Sequence, residues 1–305
     1  MKVIDTLSEG FGATNRRLWI VAIPILVDLF LWLGPRATIG PVLAQLLQTD
    51  VPVQYGDYAA LIQQFISGFN VFSMAALYLP SLVVRLEAIP LLGLASDFAV
   101  NSSALLLGLA VAALLVGLWI SCFYLGLIAQ LVRDGQTDLR LMLRAVWRYW
   151  RRLIAFLVLV CVALMVAAIP VGGAYVILSS FSPAAGDFLA FLVQIGLLWA
   201  IVYLFFSIQA LLLSDAGPLM AVRLSVTVIA GNFWAALALI GLTFLISIGL
   251  PFAWQLLATN PAGLLAAIVG NAYIGTGVAA AGFLFYKERL ERLTALAAKT
   301  TQEAR

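Results

Sequence analysis

Residues 151–179 have the sequence RRLIAFLVLVCVALMVAAIPVGGAYVILS, in which two arginines precede a stretch without any charged side chain. A helix that crosses the hydrocarbon core of a bilayer needs about 20 consecutive, mostly apolar residues. Residues 153–179 meet this requirement, and arginines before such a stretch are typical of its cytoplasmic end. The stretch therefore predicts a membrane-spanning helix.

The composition of the whole chain agrees with this prediction. Of the 305 residues, 64% are hydrophobic and 10% are charged, whereas soluble domains contain about 25% charged residues. A chain this apolar cannot cover its surface with polar side chains, so lipid must be its solvent. The sequence predicts an integral protein of the cell membrane.

Further apolar stretches predict a single transmembrane domain over residues 1–305. The six predicted spans are 18–35, 103–132, 153–179, 188–213, 233–256 and 263–286. Another apolar stretch, residues 71–84, contains Pro80 and is too short to cross the bilayer. We expect it to lie in the interface or to re-enter the membrane without crossing it.

The distribution of lysine and arginine predicts the orientation of these spans. If six spans cross, all of the 17 Lys and Arg residues except Arg36 and Arg85 lie on one side. Positive residues concentrate on the cytoplasmic side, so both termini are expected in the cytoplasm. Residues 36–101 are then an extracytoplasmic insertion, whose short apolar stretches predict a lid of short helices on the outer face.

Three stretches with the same layout indicate an internal repeat. Residues 18–35, 153–170 and 234–251 each end on a proline at the same distance from the start of a span. We interpret them as three helical hairpins, each entered through a cytoplasmic amphipathic elbow helix, although apolar sequences also repeat by chance. The predicted fold class is an all-α membrane protein with six transmembrane helices in three hairpins, elbow helices and an outer helical lid.

One carboxylate lies inside a predicted span. Asp28 is placed where a charge costs several kcal/mol unless it is protonated, paired or hydrated. By helical rise, Gln194 and Asn271 lie at a similar depth near the outer ends of their helices. These three residues are candidates for an intramembrane polar site. The alternative, which the sequence favours, is a hydrogen-bonded cluster that only holds helices together.

Two predicted spans have a face of small residues at every fourth position. These residues are Gly263, Ala267, Asn271, Gly275 and Ala279 in the last span, and Ala113, Gly117 and Ser121 in the second. Such faces allow another backbone to approach closely. We expect them to serve packing rather than to form a substrate groove.

The segment 136–152 is predicted to be a basic amphipathic helix. Its apolar face contains Leu139, Leu143, Val146 and Trp150, and Thr137 or Asp138 is expected to cap its start. The candidate contacts with anionic lipid headgroups are Arg140, Arg144, Arg148, Arg151 and Arg152. A helix of this kind lies in the interface, and each arginine near the surface contributes about 1 kcal/mol of attraction. Nucleic acid is not an expected partner, because these arginines flank spans.

The sequence gives no sign of a catalytic centre. It contains no histidine, which excludes a Ser-His-Asp site, and it has no nucleotide-binding loop, zincin helix, nucleophile elbow or paired metal ligands. Cys122 and Cys161 both lie within apolar stretches and are expected to be small core residues. We therefore expect a non-enzymatic protein without a metal or cofactor.

The entry Asn15-Arg16-Arg17-Leu18-Trp19, with its elbow and apolar hairpin, resembles uncharacterised bacterial six-span integral membrane proteins. It is also similar to the membrane domain attached to some glycerophosphodiester phosphodiesterases. The resemblance covers the elbow-and-hairpin units but not residues 36–101, and the chain contains no catalytic phosphodiesterase domain. It implies a multi-span membrane fold and assigns no functional residues.

Two functions are therefore expected from the sequence. The first is a scaffold or accessory subunit that binds lipids or partner membrane proteins through the elbows and the lid. The alternative is a small permease or lipid-handling transporter with a site around Asp28, Gln194 and Asn271. A transporter should have a hydrated cavity that reaches those residues, whereas a scaffold should have them packed and dry. An intramembrane enzyme is a more distant possibility, because no nucleophile–base pair is evident.

Overall fold

The computed structural model describes residues 3–39, 69–85, 97–100 and 102–303. Within these ranges the chain is almost entirely helical. The α-helices are α1 (Val3–Arg16), α2 (Ala22–Leu33), α3 (Ser103–Asp134), α4 (Leu139–Phe181), α5 (Pro183–Leu204), α6 (Ser207–Leu213), α7 (Pro218–Gly231), α8 (Phe233–Leu257) and α9 (Pro261–Glu303). Short 3-10 helices cover Leu18–Val21, Val71–Ala76 and Val83–Arg85, and the strands are β1 (Arg36–Thr38) and β2 (Asp97–Ala99).

Five helical stretches are long and apolar enough to cross a membrane. They are Ser103–Asp134, Leu139–Phe181, Pro183–Leu213, Phe233–Leu257 and Pro261–Ala295. The chain is therefore a multi-pass, all-α membrane protein, as the sequence predicted. The first predicted span, 18–35, corresponds to the shorter apolar helix Leu18–Leu33, which is below the usual length of about 20 residues.

The predicted basic elbow and the span after it form one continuous helix. Helix α4 runs for 43 residues without a break at Leu153, so it is about 65 Å long. The Asp138 carboxylate caps its start by accepting hydrogen bonds from the backbone N–H groups of Arg140 (2.8 Å) and Leu141 (3.1 Å). Elsewhere the chain does break before a span, at Arg17 and at Asn232, with similar backbone angles. The elbow layout thus differs between the second hairpin and the other two.

Helix α1, predicted to be an elbow at the bilayer surface, packs along the span α9. A Cβ atom added at Gly10 would lie 2.6 Å from the carbonyl oxygen of Gly277 and 2.7 Å from the backbone nitrogen of Ala281. The Tyr273 hydroxyl donates a hydrogen bond to Asn15 Oδ1 at 2.9 Å. Gly10 is thus close to Ala281, whereas Asn15, later in α1, contacts Tyr273, earlier in α9. The two helices are therefore antiparallel. Small residues on both helices allow this close packing.

Residues 69–85, which we call the re-entrant segment, lie between helices α2, α3 and α9. The backbone of Ala75 lies so close to Gly117 that a Cβ atom there would overlap it, and Pro80 lies equally close to Gly275. Gly117 and Gly275 lie about 21 Å along their helices from the helix starts at Ser103 and Pro261. In the described part of the insertion, the segment therefore penetrates between spans rather than resting on an outer face. Residues 40–68, 86–96 and 101 of the insertion lie outside the described residues.

Two short strands hold the ends of this insertion together. Strands β1 and β2 are parallel, with Ala37 paired to Phe98. The Asn70 side-chain oxygen accepts hydrogen bonds from the backbone N–H groups of Ala37 and Phe72, both at 3.1 Å. Ala37, Val71 and Val100 bury a small separate core against the start of α3. These strands were not predicted from the sequence.

Candidate functional site

The Asp28 carboxylate is completely buried and binds the re-entrant segment. Helix α2 is apolar on most of its surface and turns Asp28 towards that segment, where the side chain is 0% exposed. One carboxylate oxygen accepts a hydrogen bond from the Ser81 hydroxyl, and the other accepts one from the Leu82 N–H at 2.8 Å. Burial of a carboxylate is costly unless it is hydrogen-bonded. These two donors offset that cost.

Asn271 binds the same segment from the opposite side. Its side-chain amide donates a hydrogen bond to the carbonyl oxygen of Pro80 at 2.8 Å, and the residue is 8% exposed. Asp28 and Asn271 thus bind three consecutive residues, Pro80, Ser81 and Leu82. Non-helical backbone is tolerated at membrane depth only where protein or water satisfies its polar groups. We call this arrangement the polar clamp, and its geometry is that of a structural support.

The third residue of the predicted polar site, Gln194, lies elsewhere. It is on an exposed face of α5, a helix that packs against α4 and α7. The structure therefore brings Asp28 and Asn271 to one segment and does not bury Gln194 with them. Helical rise gave the three residues similar depths, but depth does not determine which direction a side chain faces.

A cavity of about 500 Å³ lies within the bundle, next to the tip of the re-entrant segment. Tyr78 and Pro80 form one wall, and helices α3, α4, α5, α6, α8 and α9 supply the others. Neither Asp28 nor Asn271 is among the lining residues. The cavity is consequently separate from the polar clamp.

The cavity walls are mostly apolar and contain a few polar side chains. The polar lining residues are Tyr78, Tyr124, Gln209, Thr243 and Ser247. The Tyr124 hydroxyl donates a hydrogen bond to Thr276 Oγ1 at 2.9 Å. The side-chain oxygen of Gln209, Oε1, is buried without a hydrogen-bond partner in the described part of the chain. None of the lining residues found in the described ranges is charged.

One residue of the cavity wall is largely exposed: Ile201, on α5, is 52% exposed. Near the same end of α5, the ring of Phe205 contacts that of Phe244 on α8, with centroids 6.4 Å apart.

Sequence reasoning missed the cavity residues, although a signal for some of them was present. Thr243 and Ser247 are four residues apart in a predicted span, so they share one helical face. Gln209 lies near the end of the predicted span 188–213. Their convergence depends on how α6 and α8 face each other, which periodicity within one helix does not specify.

The arginines in the first part of α4 are partly neutralised by an acidic residue. Asp215, in the connection between α6 and α7, has a φ angle of 52° and forms ion pairs with Arg152 and, at 3.4 Å, with Arg148. Arg140, Arg144 and Arg151 are exposed. Of the five predicted lipid-contact arginines, these three have the side chains best placed for a lipid headgroup.

The apolar face predicted for this part of α4 is only partly correct. Val146 is buried, but Leu139 and Leu143 are exposed. The buried face is instead formed by Met142, Val146, Tyr149 and Leu153. The helix therefore packs its Met142 face against the bundle, and the exposed leucines suit a lipid environment.

The cysteines and acidic residues give no metal site in the described ranges. Cys122 is buried, as expected, but Cys161 is exposed on α4 and so is not a core residue. No group of three or more His, Cys, Asp and Glu side chains there is arranged to hold a metal ion.

These features define a class: a multi-pass helical membrane protein with a re-entrant segment and a cavity between its helices that has no charged side chain among its described lining residues. No protein-family model, curated protein or solved structure matches the chain. The resemblance to bacterial six-span proteins and to the membrane domain of glycerophosphodiester phosphodiesterases thus stays a prediction.

Proposed function

We propose that the protein is a non-enzymatic membrane protein that binds a neutral, lipid-like molecule in the cavity beside the re-entrant segment. The observation that carries this proposal is the cavity of about 500 Å³, which combines apolar walls with a few polar groups. Small-molecule sites have volumes of about 300–1,000 Å³ and the same mixture of lining residues. This function corresponds to the lipid-handling alternative, with its site moved away from Asp28.

The absence of charge on the described cavity walls supports a neutral ligand. A phosphate or ammonium group moved into such a cavity would lose its hydration without gaining an ionic partner. An alkyl chain that leaves the bilayer for this cavity exchanges one apolar environment for another, so the apolar walls accept it without a desolvation cost.

The test compares substitutions that fill the cavity with substitutions at neighbouring residues that face outward. Ser247→Phe and Thr243→Phe place a ring in the cavity, whereas Ile248→Phe and Leu245→Phe change exposed positions on the same helix. We expect native mass spectrometry of the purified protein to show loss of most bound neutral lipid in the first pair only. Equal lipid content in all four variants would contradict the proposal and leave the scaffold function.

We also propose six spans with both termini in the cytoplasm, with Leu18–Leu33 as the sixth. The lysine and arginine distribution supports this arrangement. The antiparallel packing of α1 on α9 also supports it, because Gly10 meets Ala281 while Asn15 meets Tyr273. The start of α1 therefore lies at the same end of the bundle as the later part of α9.

A further inference from the structure

The most apolar parts of helices α4 and α5 are mostly unburied. In the most apolar 18-residue window of each of these spans, only 6% of the residues are buried. Lipid can cover apolar side chains in such a position, so exposure alone does not indicate a partner. One polar residue on this surface is different.

Gln194 lies near the middle of the span Pro183–Leu213, about 16 Å along the helix from Pro183. Its side chain is exposed, and it has no hydrogen-bond partner within the described part of the chain. Above and below it on the same face, Phe191 and Leu198 are 57% and 59% exposed. A carboxamide in this position faces acyl chains, which offer neither a donor nor an acceptor.

We propose that α5 forms a symmetric contact with a second copy of this chain, in which the two Gln194 side chains hydrogen-bond to each other. A carboxamide carries both a donor and an acceptor, so two glutamines related by a two-fold axis satisfy one another. Such self-complementary contacts are the rule in two-fold dimers. Glutamine is also among the side chains that form hydrogen bonds between membrane helices.

The flanking residues fit the same contact. Phe191 and Leu198 are separated from Gln194 by three and four positions, which places all three along one line of the helix. In the dimer, these large side chains pack around the paired carboxamides and exclude lipid from them. The contact involves the lipid-facing surface of α5, and the cavity residue Ile201 continues the same line of the helix.

The test uses disulfide cross-linking in proteoliposomes, in a background in which Cys122 and Cys161 are replaced by alanine. Leu198→Cys is expected to cross-link between copies, whereas Leu245→Cys, which is 69% exposed on α8, is not. Dilution with excess lipid separates a specific contact from random collision.

The role of Gln194 is tested by two substitutions in the Leu198→Cys background. Gln194→Leu should lower the dimerisation constant about tenfold, because two interhelical hydrogen bonds are lost, whereas Gln194→Asn should retain part of the dimer. The thermal stability of the monomer should be the same in all variants, since Gln194 makes no hydrogen bond within the described part of its own chain. Cross-linking that is absent, that is equal at position 245, or that does not respond to Gln194→Leu would overturn the proposal.

Discussion

At the scale of single residues, Asp28 shows how an ionisable side chain can be buried in a membrane protein by hydrogen bonds to a neighbouring segment. Its two oxygens are used by the Ser81 hydroxyl and the Leu82 N–H, and the cavity lies elsewhere. The carboxylate acts as an acceptor for a backbone that has left regular helical structure. The segment therefore requires two correctly placed hydrogen-bond acceptors at position 28 rather than a negative charge.

This interpretation predicts different effects for two substitutions of Asp28. In Asp28→Asn, the amide oxygen can accept from Leu82 and the NH2 group can donate to the Ser81 hydroxyl, so the loss should be small. In Asp28→Leu, both groups lose their acceptor, which should cost about 2–4 kcal/mol. Thermal unfolding of the purified variants measures the difference, with Ser81→Ala as a control that removes only one donor. Equal destabilisation by Asn and Leu would mean that the charge itself is required.

At the scale of elements, the re-entrant segment depends on two glycines in neighbouring helices. Gly117 on α3 and Gly275 on α9 allow the backbones of Ala75 and Pro80 to approach them directly. Small residues at every fourth position predicted a close backbone approach on both helices. Which backbone approaches could not be predicted, because a segment of short 3-10 helices and loops is too short to show a sequence periodicity.

The close approach at Gly117 gives a direct test of the segment's position. Gly117→Ala should destabilise the protein by about 1–3 kcal/mol, since the added methyl group overlaps the Ala75 backbone. Gly108→Ala in the same helix is a matched control, because a Cβ atom there meets nothing within 4 Å. The control should be neutral or slightly stabilising. The unfolding temperatures of the two variants check the prediction, and similar values would place the segment away from α3.

The helical elements themselves were largely predictable from sequence, and their boundaries and directions less so. The apolar stretches identified the five long helices because a span needs length and hydropathy, which are local properties. The continuity of α4 through Leu153 was missed, since arginines near a span do not interrupt helical hydrogen bonding. The cavity and the polar clamp depend on contacts between distant residues, such as Asn271 with Pro80, and no local pattern predicts these.

At the scale of the whole molecule, the number of crossings determines where the two termini lie. Five crossings would put them on opposite sides, and six would put them on the same side. The short helix Leu18–Leu33 rises about 24 Å, slightly less than the hydrocarbon core of about 30 Å. We propose that it crosses nevertheless, because a span slightly shorter than the hydrocarbon core is accommodated by local thinning of the bilayer.

We predict that position 4 and position 136 are cytoplasmic and that positions 184 and 259 are outside. All four residues are described; Ile4, Gln136, Ala184 and Thr259 are exposed, so a cysteine at each should react with a maleimide. After Cys161→Ala removes the exposed native thiol, an impermeant maleimide should label Ala184→Cys and Thr259→Cys in intact cells. Ile4→Cys and Gln136→Cys should react only after permeabilisation.

Labelling of position 4 from outside, with position 136 still protected, would mean that Leu18–Leu33 does not cross. The antiparallel contact of α1 with α9 argues against that outcome, because it places the start of α1 beside the later part of the last span, which the lysine and arginine distribution predicts to be cytoplasmic.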